Sequence, residues 1–274
     1  MSKVWKKRIK NLIRYIVMTA ALVLFGFSAY SMADTQLGYN EGSEFYVNME
    51  ENFFVPAGTG TESDDDSSGG GFEIENVGDG QEFVFDYAAL KKYNKHSIGW
   101  IRLDDGQYIS YPVVQYTDND YYLRRLISRR YNVAGTIFVD YRCEGGFNAR
   151  NPIVYGHNMN NYTMFGSLRE YYNKKNYYKE HPYFDIWIGE EHYTYYVFSV
   201  RRVELADTYV YKFNYASDEE YLEYINKCIA DSKVAIDVGE ITAEDHIMTL
   251  STCVYNHPDQ RLVLNLVRRE TPAE

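Results

Sequence analysis

The chain has 274 residues, 45% hydrophobic, 17% aromatic and 24% charged, a mix that can bury a core and excludes wholesale disorder and collagen-like repetition. Its formal net charge is −11, and no stripe of Lys and Arg is dense enough to neutralise a run of phosphates, which argues against a nucleic-acid partner. Three cysteines, Cys143, Cys228 and Cys253, lack the paired spacings of a zinc site or a small disulfide scaffold, so at least one thiol stays free.

Charge falls in blocks along the chain. Residues 1–14 form a basic tail carrying Lys3, Lys6, Lys7, Arg8, Lys10 and Arg14, and residues 15–33 form an uncharged, mostly apolar run. At about 1.5 Å per residue such a run crosses a ~30 Å hydrocarbon core, and the cations before it place the N-terminus in the cytoplasm and the rest of the chain outside. The alternative is a cleaved secretory signal ending at Ser31-Met32-Ala33. The run exceeds the ~7–15 residues of a usual signal core, which favours a retained single-pass anchor in the cell membrane. Residues 34–80 hold twelve acidic residues and no Lys or Arg around a Gly/Ser/Asp-rich centre, which predicts a flexible tether with a short apolar patch at Phe53-Phe54-Val55. Asp64 to Asp66 lack the ligand spacing of a calcium loop. Residues 81–274, with 22 basic and 27 acidic side chains, are the expected extracytoplasmic domain.

Within that domain, Phe83 to Tyr93 has helical spacing and Gly99-Trp100-Ile101 opens a strand. Short β-type runs follow at Ile109 to Val114, Gly135 to Tyr141, Pro152 to Tyr155, Phe184 to Ile188, His192 to Glu204, Asp245 to Val254 and Arg261 to Arg268. Helical stretches are predicted at Asp120 to Leu126, Met164 to Tyr171 and Asp218 to Ile229, the last with a stripe of Tyr221, Leu222, Ile225 and Ile229. Without βαβ alternation, the expected fold class is mainly β, an antiparallel sheet closed into a barrel and decorated by helices. The 29 tyrosines read as packing and not as a sugar-binding platform.

The chemistry concentrates near the C-terminus. Period-two geometry from Asp245 to Cys253 puts Ile247, Thr249, Ser251 and Cys253 on one face and Met248, Leu250 and Thr252 on the other. After a connection from Val254 to Gln260, Arg261 opens the next strand. If the two strands pair as a hairpin, a thiol and a guanidinium meet at the mouth of the loop. A fixed positive charge favours the thiolate, and Arg offers donors to a developing oxyanion. The chemistry also needs a proton shuttle. His157, in Ile153-Val154-Tyr155-Gly156-His157-Asn158, follows a β-run through a Gly that exposes a strand-end side chain. Its rival, His257, sits in Asn256-His257-Pro258-Asp259, a ready home for a solvated His. Cys143 reads as a loop thiol, Cys228 as a thiol packed in a helix, and the other histidines as surface or structural.

Thr249-Leu250-Ser251-Thr252-Cys253 followed by Arg261, with Tyr155-Gly156-His157-Asn158 upstream, resembles the signature of sortases, the membrane-anchored cysteine transpeptidases of Gram-positive bacteria. Ile98-Gly99-Trp100-Ile101, Tyr111-Pro112-Val113-Val114-Gln115, Tyr121-Tyr122-Leu123, Gly135-Thr136-Ile137-Phe138-Val139-Asp140 and His157-Asn158-Met159 through Met164-Phe165-Gly166 resemble class B in order, over roughly residues 83–268. The resemblance implies an eight-stranded barrel with an N-terminal helix and an inserted helix before the penultimate strand. It also implies Cys253 as nucleophile, His157 as general acid/base and Arg261 as the arginine that orients substrate and stabilises the oxyanion. The loop between Cys253 and Arg261 varies in the family, which leaves the pocket wall there open.

On that resemblance, the expected function is cleavage of secreted proteins at a C-terminal sorting signal of the Asn-Pro-x-Thr type, through an acyl-enzyme thioester, and attachment to an amine of the peptidoglycan precursor. The peptide is expected along the Ser251 and Thr252 end of its strand. The chemistry requires no metal or organic cofactor. Two alternatives stand beside it: a pilus-polymerising transpeptidase using a protein Lys, and a tethered binding module that has lost turnover.

Overall fold

A computed structural model describes residues 3–56, 83–103 and 109–269. The chain divides into two compact units that meet between Glu41 and Gly42. Helix α1 runs from Lys3 to Phe53, and one stretch of it is long and apolar enough to cross a membrane. The apolar side chains between residues 11 and 33, such as Ile16, Leu22, Phe25 and Phe27, are exposed.

Residues 34–53 correct the expectation of a tether, because they are helical. Acidic composition hid a stripe at helical spacing, Tyr46, Met49 and Phe53, which is buried in the second unit. Glu50 pairs with Arg102 at 3.2 Å. Pro56, which cannot continue a helix, closes a short strand β1, Phe54–Pro56, paired antiparallel with β2, Phe83–Phe85. The Asp64 to Asp66 cluster and the rest of the predicted tether lie outside the described residues.

The expected helix from Phe83 starts later, as α2, Tyr87–Tyr93. Asp86 is its N-cap and accepts the Ala89 N–H at 2.8 Å, so the residues before it are free to form β2. The remaining elements are β3 (Ser97–Leu103), β4 (Ile109–Gln115), β5 (Ile137–Val139), β6 (Ile153–Tyr155), α3 (Arg169–Asn173), α4 (Tyr177–Glu180), β7 (Tyr183–Ile188), β8 (Glu191–Glu204), α5 (Asp218–Ala230), β9 (Ile247–Val254) and β10 (His257–Arg269). The predicted helix at Asp120 to Leu126 is a single 3₁₀ turn, Tyr121–Arg124.

Strands β3 to β10 close into an eight-stranded barrel in the order β10-β8-β7-β3-β4-β5-β6-β9, the fold class expected from the sequence. Six of its pairs are antiparallel. Two, β4 with β5 and β6 with β9, are parallel. The interior is filled by alternate side chains such as Ile101, Val113, Leu250 and Leu264, all at 0% exposure, while Trp100 faces outward and packs against Phe53, Phe54 and Phe85. Tyrosines fill much of the remaining core with their hydroxyls bonded, as Tyr221 is to the carbonyls of Arg150 and Asp245.

Helix α5 is the insertion before the penultimate strand. Ser217 caps it and three acidic residues occupy its first turn. Its buried stripe is Tyr221, Tyr224, Ile225 and Cys228. Ile229, assigned inward from the sequence, is exposed, while Leu222 packs only partly against the core.

Gly99 lets β3 approach β7 closely, since a Cβ there would lie 1.9 Å from the Trp187 carbonyl oxygen on β7. Gly99→Ala is therefore expected to push β3 from β7 and lower stability by about 2 kcal/mol or more, read from urea unfolding monitored by tryptophan fluorescence.

Candidate active site

Strand β9 ends and β10 begins at one rim of the barrel. The turn between them is shorter than the sequence suggested, only Tyr255 and Asn256, with Asn256 at φ 61°, a conformation that Asn tolerates better than most residues. Val254 pairs with His257 and Cys253 pairs with Arg261, so Pro258, Asp259 and Gln260 form an extra loop within β10. That bulge brings Arg261 directly opposite Cys253, on the same face of the sheet. The Leu205 N–H bonds the Asp259 carbonyl at 2.6 Å and fixes the bulge to the end of β8. Arg261 Nη1 donates to the carbonyls of Pro258 and Gln260 at 2.8 and 2.9 Å, which holds the guanidinium at the rim.

His157 reaches the same place through the parallel pairing of β6 with β9, in which Tyr155 faces Ser251. Two side-chain bonds tie the chain just beyond β6 to the end of β9. Thr252 Oγ1 donates to the Gly156 carbonyl at 2.7 Å, and Asn158 Nδ2 donates to the Cys253 carbonyl at 2.8 Å. Gly156 is required there, because a Cβ would lie 2.5 Å from Ile137 and 2.7 Å from Phe165.

The half-buried imidazole lies with Nε2 2.6 Å from the Leu123 carbonyl oxygen. A carbonyl only accepts, so Nε2 carries the proton and Nδ1 is the nitrogen left to receive one. Burial lowers the His157 pKa below its ordinary 6.5; the Leu123 carbonyl opposes that shift and the charge of Arg124 adds to it. The ring is thus neutral at pH 7.

Cys253, His157 and Arg261 line one cleft of about 380 Å³, together with Ser251 and Thr252. All five residues singled out from the sequence therefore share a site. Thr252 has its hydroxyl committed to the Gly156 carbonyl, and Ser251 Oγ lies 3.1 Å from the Tyr211 hydroxyl. His257 is exposed on β10 and does not line the cleft.

Several wall residues escaped the sequence reading. Leu123 comes from the 3₁₀ turn, Tyr211 from the β8 to α5 connection, and Asn119, Arg142 and Tyr155 surround a fully buried Asp140. Arg142 grips Asp140 through Nε and Nη2 at 2.9 and 2.8 Å, while Asn119 and Tyr155 donate to it at 2.9 and 3.0 Å. Burial pushes the Asp140 carboxyl up, and these donors outweigh it, leaving the pKa below the ordinary range. Arg142 also stacks over Phe213 at 4.2 Å, fastening the β8 to α5 connection against the cleft. The available signal was an Asp with an Arg two residues on at the end of a predicted strand.

A closed barrel with a thiol, an imidazole and a guanidinium on one rim suits thiol-based acyl transfer. The chain belongs to the sortase family of cysteine transpeptidases: the Sortase domain matches residues 101–268. It is 35% identical over 164 residues to sortase B of Listeria monocytogenes, a match that covers 60% of this chain and 65% of that protein, just under two thirds of its length. Among solved structures, sortase B from Bacillus anthracis in complex with AAEK1 superposes with a TM-score of 0.66 at 30% identity, covering 85% of this chain and 99% of that one. The Staphylococcus aureus sortase B-substrate complex gives 0.62 at 31% identity, covering 68% of this chain and 85% of that one.

The three thiols differ sharply in surroundings. Cys143, read from the sequence as a loop thiol, is buried and accepts the Ile153 N–H, and Cys228 is buried under α5. Burial pushes both thiols up to about 11. Cys253 is exposed. Iodoacetamide at pH 7 is therefore expected to add one carbamidomethyl group, on Cys253, with peptide mass mapping finding Cys143 and Cys228 unmodified until the protein is denatured.

Proposed function

We propose that this chain is a class B-like sortase that cleaves secreted proteins at a C-terminal sorting signal and joins them to an amine of the cell-wall precursor. The observation that carries this reading is the meeting of Cys253, His157 and Arg261 in one cleft of a sortase barrel. The similarity to a sortase B solved with its substrate supports a peptide lying in this cleft. Membrane attachment through residues 15–33, with the basic tail inside the cell and the barrel outside, is supported by the charge asymmetry and the exposed apolar face of α1.

In the proposed reaction, His157 Nδ1 takes the proton of Cys253 as sulfur attacks the carbonyl carbon before the scissile bond. A tetrahedral oxyanion forms within reach of Arg261. Its collapse expels the amine, which leaves with the proton from His157, and a thioester remains on Cys253. An acceptor amine then attacks the thioester, gives its excess proton to His157, and releases the joined product with the thiol restored. The substrate backbone runs beside Ser251, whose hydroxyl bonds it, with Arg261 orienting the segment before the thioester.

The test uses the full chain in detergent with fluorogenic sorting-signal peptides and an amine acceptor. Cys253→Ala is expected to abolish cleavage, and His157→Ala to reduce kcat/KM by ~10²–10⁴-fold. Arg261→Lys is expected to lose about 10²-fold, because a point charge does not reproduce the planar fork. His257→Ala should leave the rate nearly unchanged. Cleavage surviving in Cys253→Ala overturns the reading, as does a larger loss in His257→Ala than in His157→Ala.

The pH dependence has a defined sign. The base form of His157 persists below pH 6.5, because burial favours the neutral ring. The acidic limb of kcat/KM should therefore fall below pH 6.5, and the pH-rate profile of peptide cleavage measures it.

A further inference from the structure

The Leu123 carbonyl that accepts the His157 Nε2–H hydrogen bond belongs to a 3₁₀ turn with no regular strand to hold it. What supports it comes from far away in sequence. Segment 42–53 of α1 lies against this wall, and Gly42 allows the approach, since a Cβ there would stand 2.9 Å from both Ala134 Cβ and Asn132 Oδ1. One helical turn on, Tyr46 is 2% exposed. Its hydroxyl donates to the Gly135 carbonyl at 2.6 Å and lies 2.9 Å from Thr136 Oγ1.

Both of those residues are seated on the backbone that bears Leu123. Gly135 has φ +62°, and a Cβ built on it would lie 2.5 Å from the Leu123 oxygen and 2.8 Å from the Tyr122 oxygen. The Thr136 N–H donates to the Tyr122 carbonyl at 3.0 Å, and Thr136 Oγ1 donates to the Arg125 carbonyl at 2.7 Å. Thr136, Leu123 and His157 line the same cleft. The Tyr46 ring packs edge-on to Tyr111 at 5.2 Å, a contact that Phe would preserve. Packing therefore accounts for the ring but not for a buried hydroxyl placed on this turn.

We infer that Tyr46 is a positioning residue for His157: its hydroxyl clamps the Gly135-Thr136 turn onto residues 122–125 and so holds the Leu123 carbonyl where the imidazole Nε2–H meets it. The consequence for turnover rests on the sortase reading above. The consequence for the imidazole does not.

The test compares Tyr46→Phe with Tyr221→Phe in the full chain. Tyr221 is an equally buried tyrosine whose hydroxyl bonds the carbonyls of Arg150 and Asp245, away from the cleft, and it controls for the loss of a buried hydrogen bond as such. The readouts are the His157 midpoint, followed by NMR of ¹³Cε1-labelled histidine in detergent, and kcat and KM for peptide cleavage. The charged and titratable groups facing His157 across the cleft, Arg124, Asp120, Arg142, Tyr155, Tyr211, Cys253 and Arg261, are the same in both variants. Tyr46→Phe is expected to lower the His157 midpoint, since a displaced carbonyl supports the imidazolium less, and to reduce kcat about fivefold, the scale of one net hydrogen bond, with KM within about twofold. Tyr221→Phe is expected to move neither. An unchanged midpoint in Tyr46→Phe, or an equal change in both variants, overturns the inference. If the wild-type chain cleaves no sorting-signal peptide, the sortase reading fails while the midpoint comparison still decides the role of Tyr46.

Discussion

The parallel pairing of β6 with β9 is the constraint on which the rest of the site depends. Parallel neighbours point their C-terminal ends the same way, so the residues that follow Tyr155 and those that close β9 emerge at one rim. His157 and Cys253 can meet only because of it. The chain between them has to leave the rim, build β7, β8 and α5, and return in the same direction. Everything inserted there is outside the Cys253 and His157 pair yet determines where β9 lies. The bonds from Thr252 to Gly156 and from Asn158 to the Cys253 carbonyl then lock the two strand ends together at side-chain level.

A second polar layer keeps the outer face of β9 from slipping. Arg201, 3% exposed, donates to Asn265 Oδ1 at 3.0 Å; Asn265 donates to Thr249 at 3.0 Å, and Thr249 to Asn151 at 2.8 Å. Asn151 in turn donates to the Tyr215 hydroxyl at 3.0 Å, in the connection that also carries Tyr211. Each such bond is worth about 1 kcal/mol net, but a buried donor or acceptor left alone costs about 1–3 kcal/mol. The chain of partners therefore penalises any shift of β9 relative to β6, β8 and β10 more than it rewards the native position. A shift of one residue would also turn Cys253 away from Arg261.

Local periodicity made much of this legible. Alternation in Ile247 to Cys253 and in Arg261 to Arg268 is dense enough to set both strands and their facing, and the Cys253 to Arg261 pairing followed from a hairpin with the wrong turn length. Two-residue turns leave little trace when their second residue is Asn rather than Gly, so the bulge at Pro258 to Gln260 has the sequence character of a loop. The parallel closure was illegible for a different reason. Pairing between strands about a hundred residues apart has no local signature, and short strands such as β5 and β6 match many partners. In residues 34–53, composition overrode pattern: the acidic count suggested solvation, while Tyr46, Met49 and Phe53 already had helical spacing. The role of Leu123 was beyond reach, because a backbone carbonyl has no residue-type signal at all.

The same pattern of bonding engages much of the polar lining of the cleft. Asp140, Asn119, Arg142 and Tyr155 satisfy one another, Thr252 is bonded to Gly156, and His157 Nε2 is bonded to Leu123. Such mutual satisfaction makes the wall rigid, and a rigid wall does not reorganise when charge develops. Among the described residues, the groups facing the cleft with capacity to react or to bind include the Cys253 sulfur, His157 Nδ1, the Asp120 carboxylate, the Ser251 to Tyr211 pair and the part of the Arg261 fork not bonded to Pro258 and Gln260. Ser251, Cys253 and Arg261 sit at strand ends whose positions are over-determined by the barrel. Strand β9 presents Ser251 and Cys253 on one face two residues apart, the spacing at which an extended backbone repeats its own donors and acceptors.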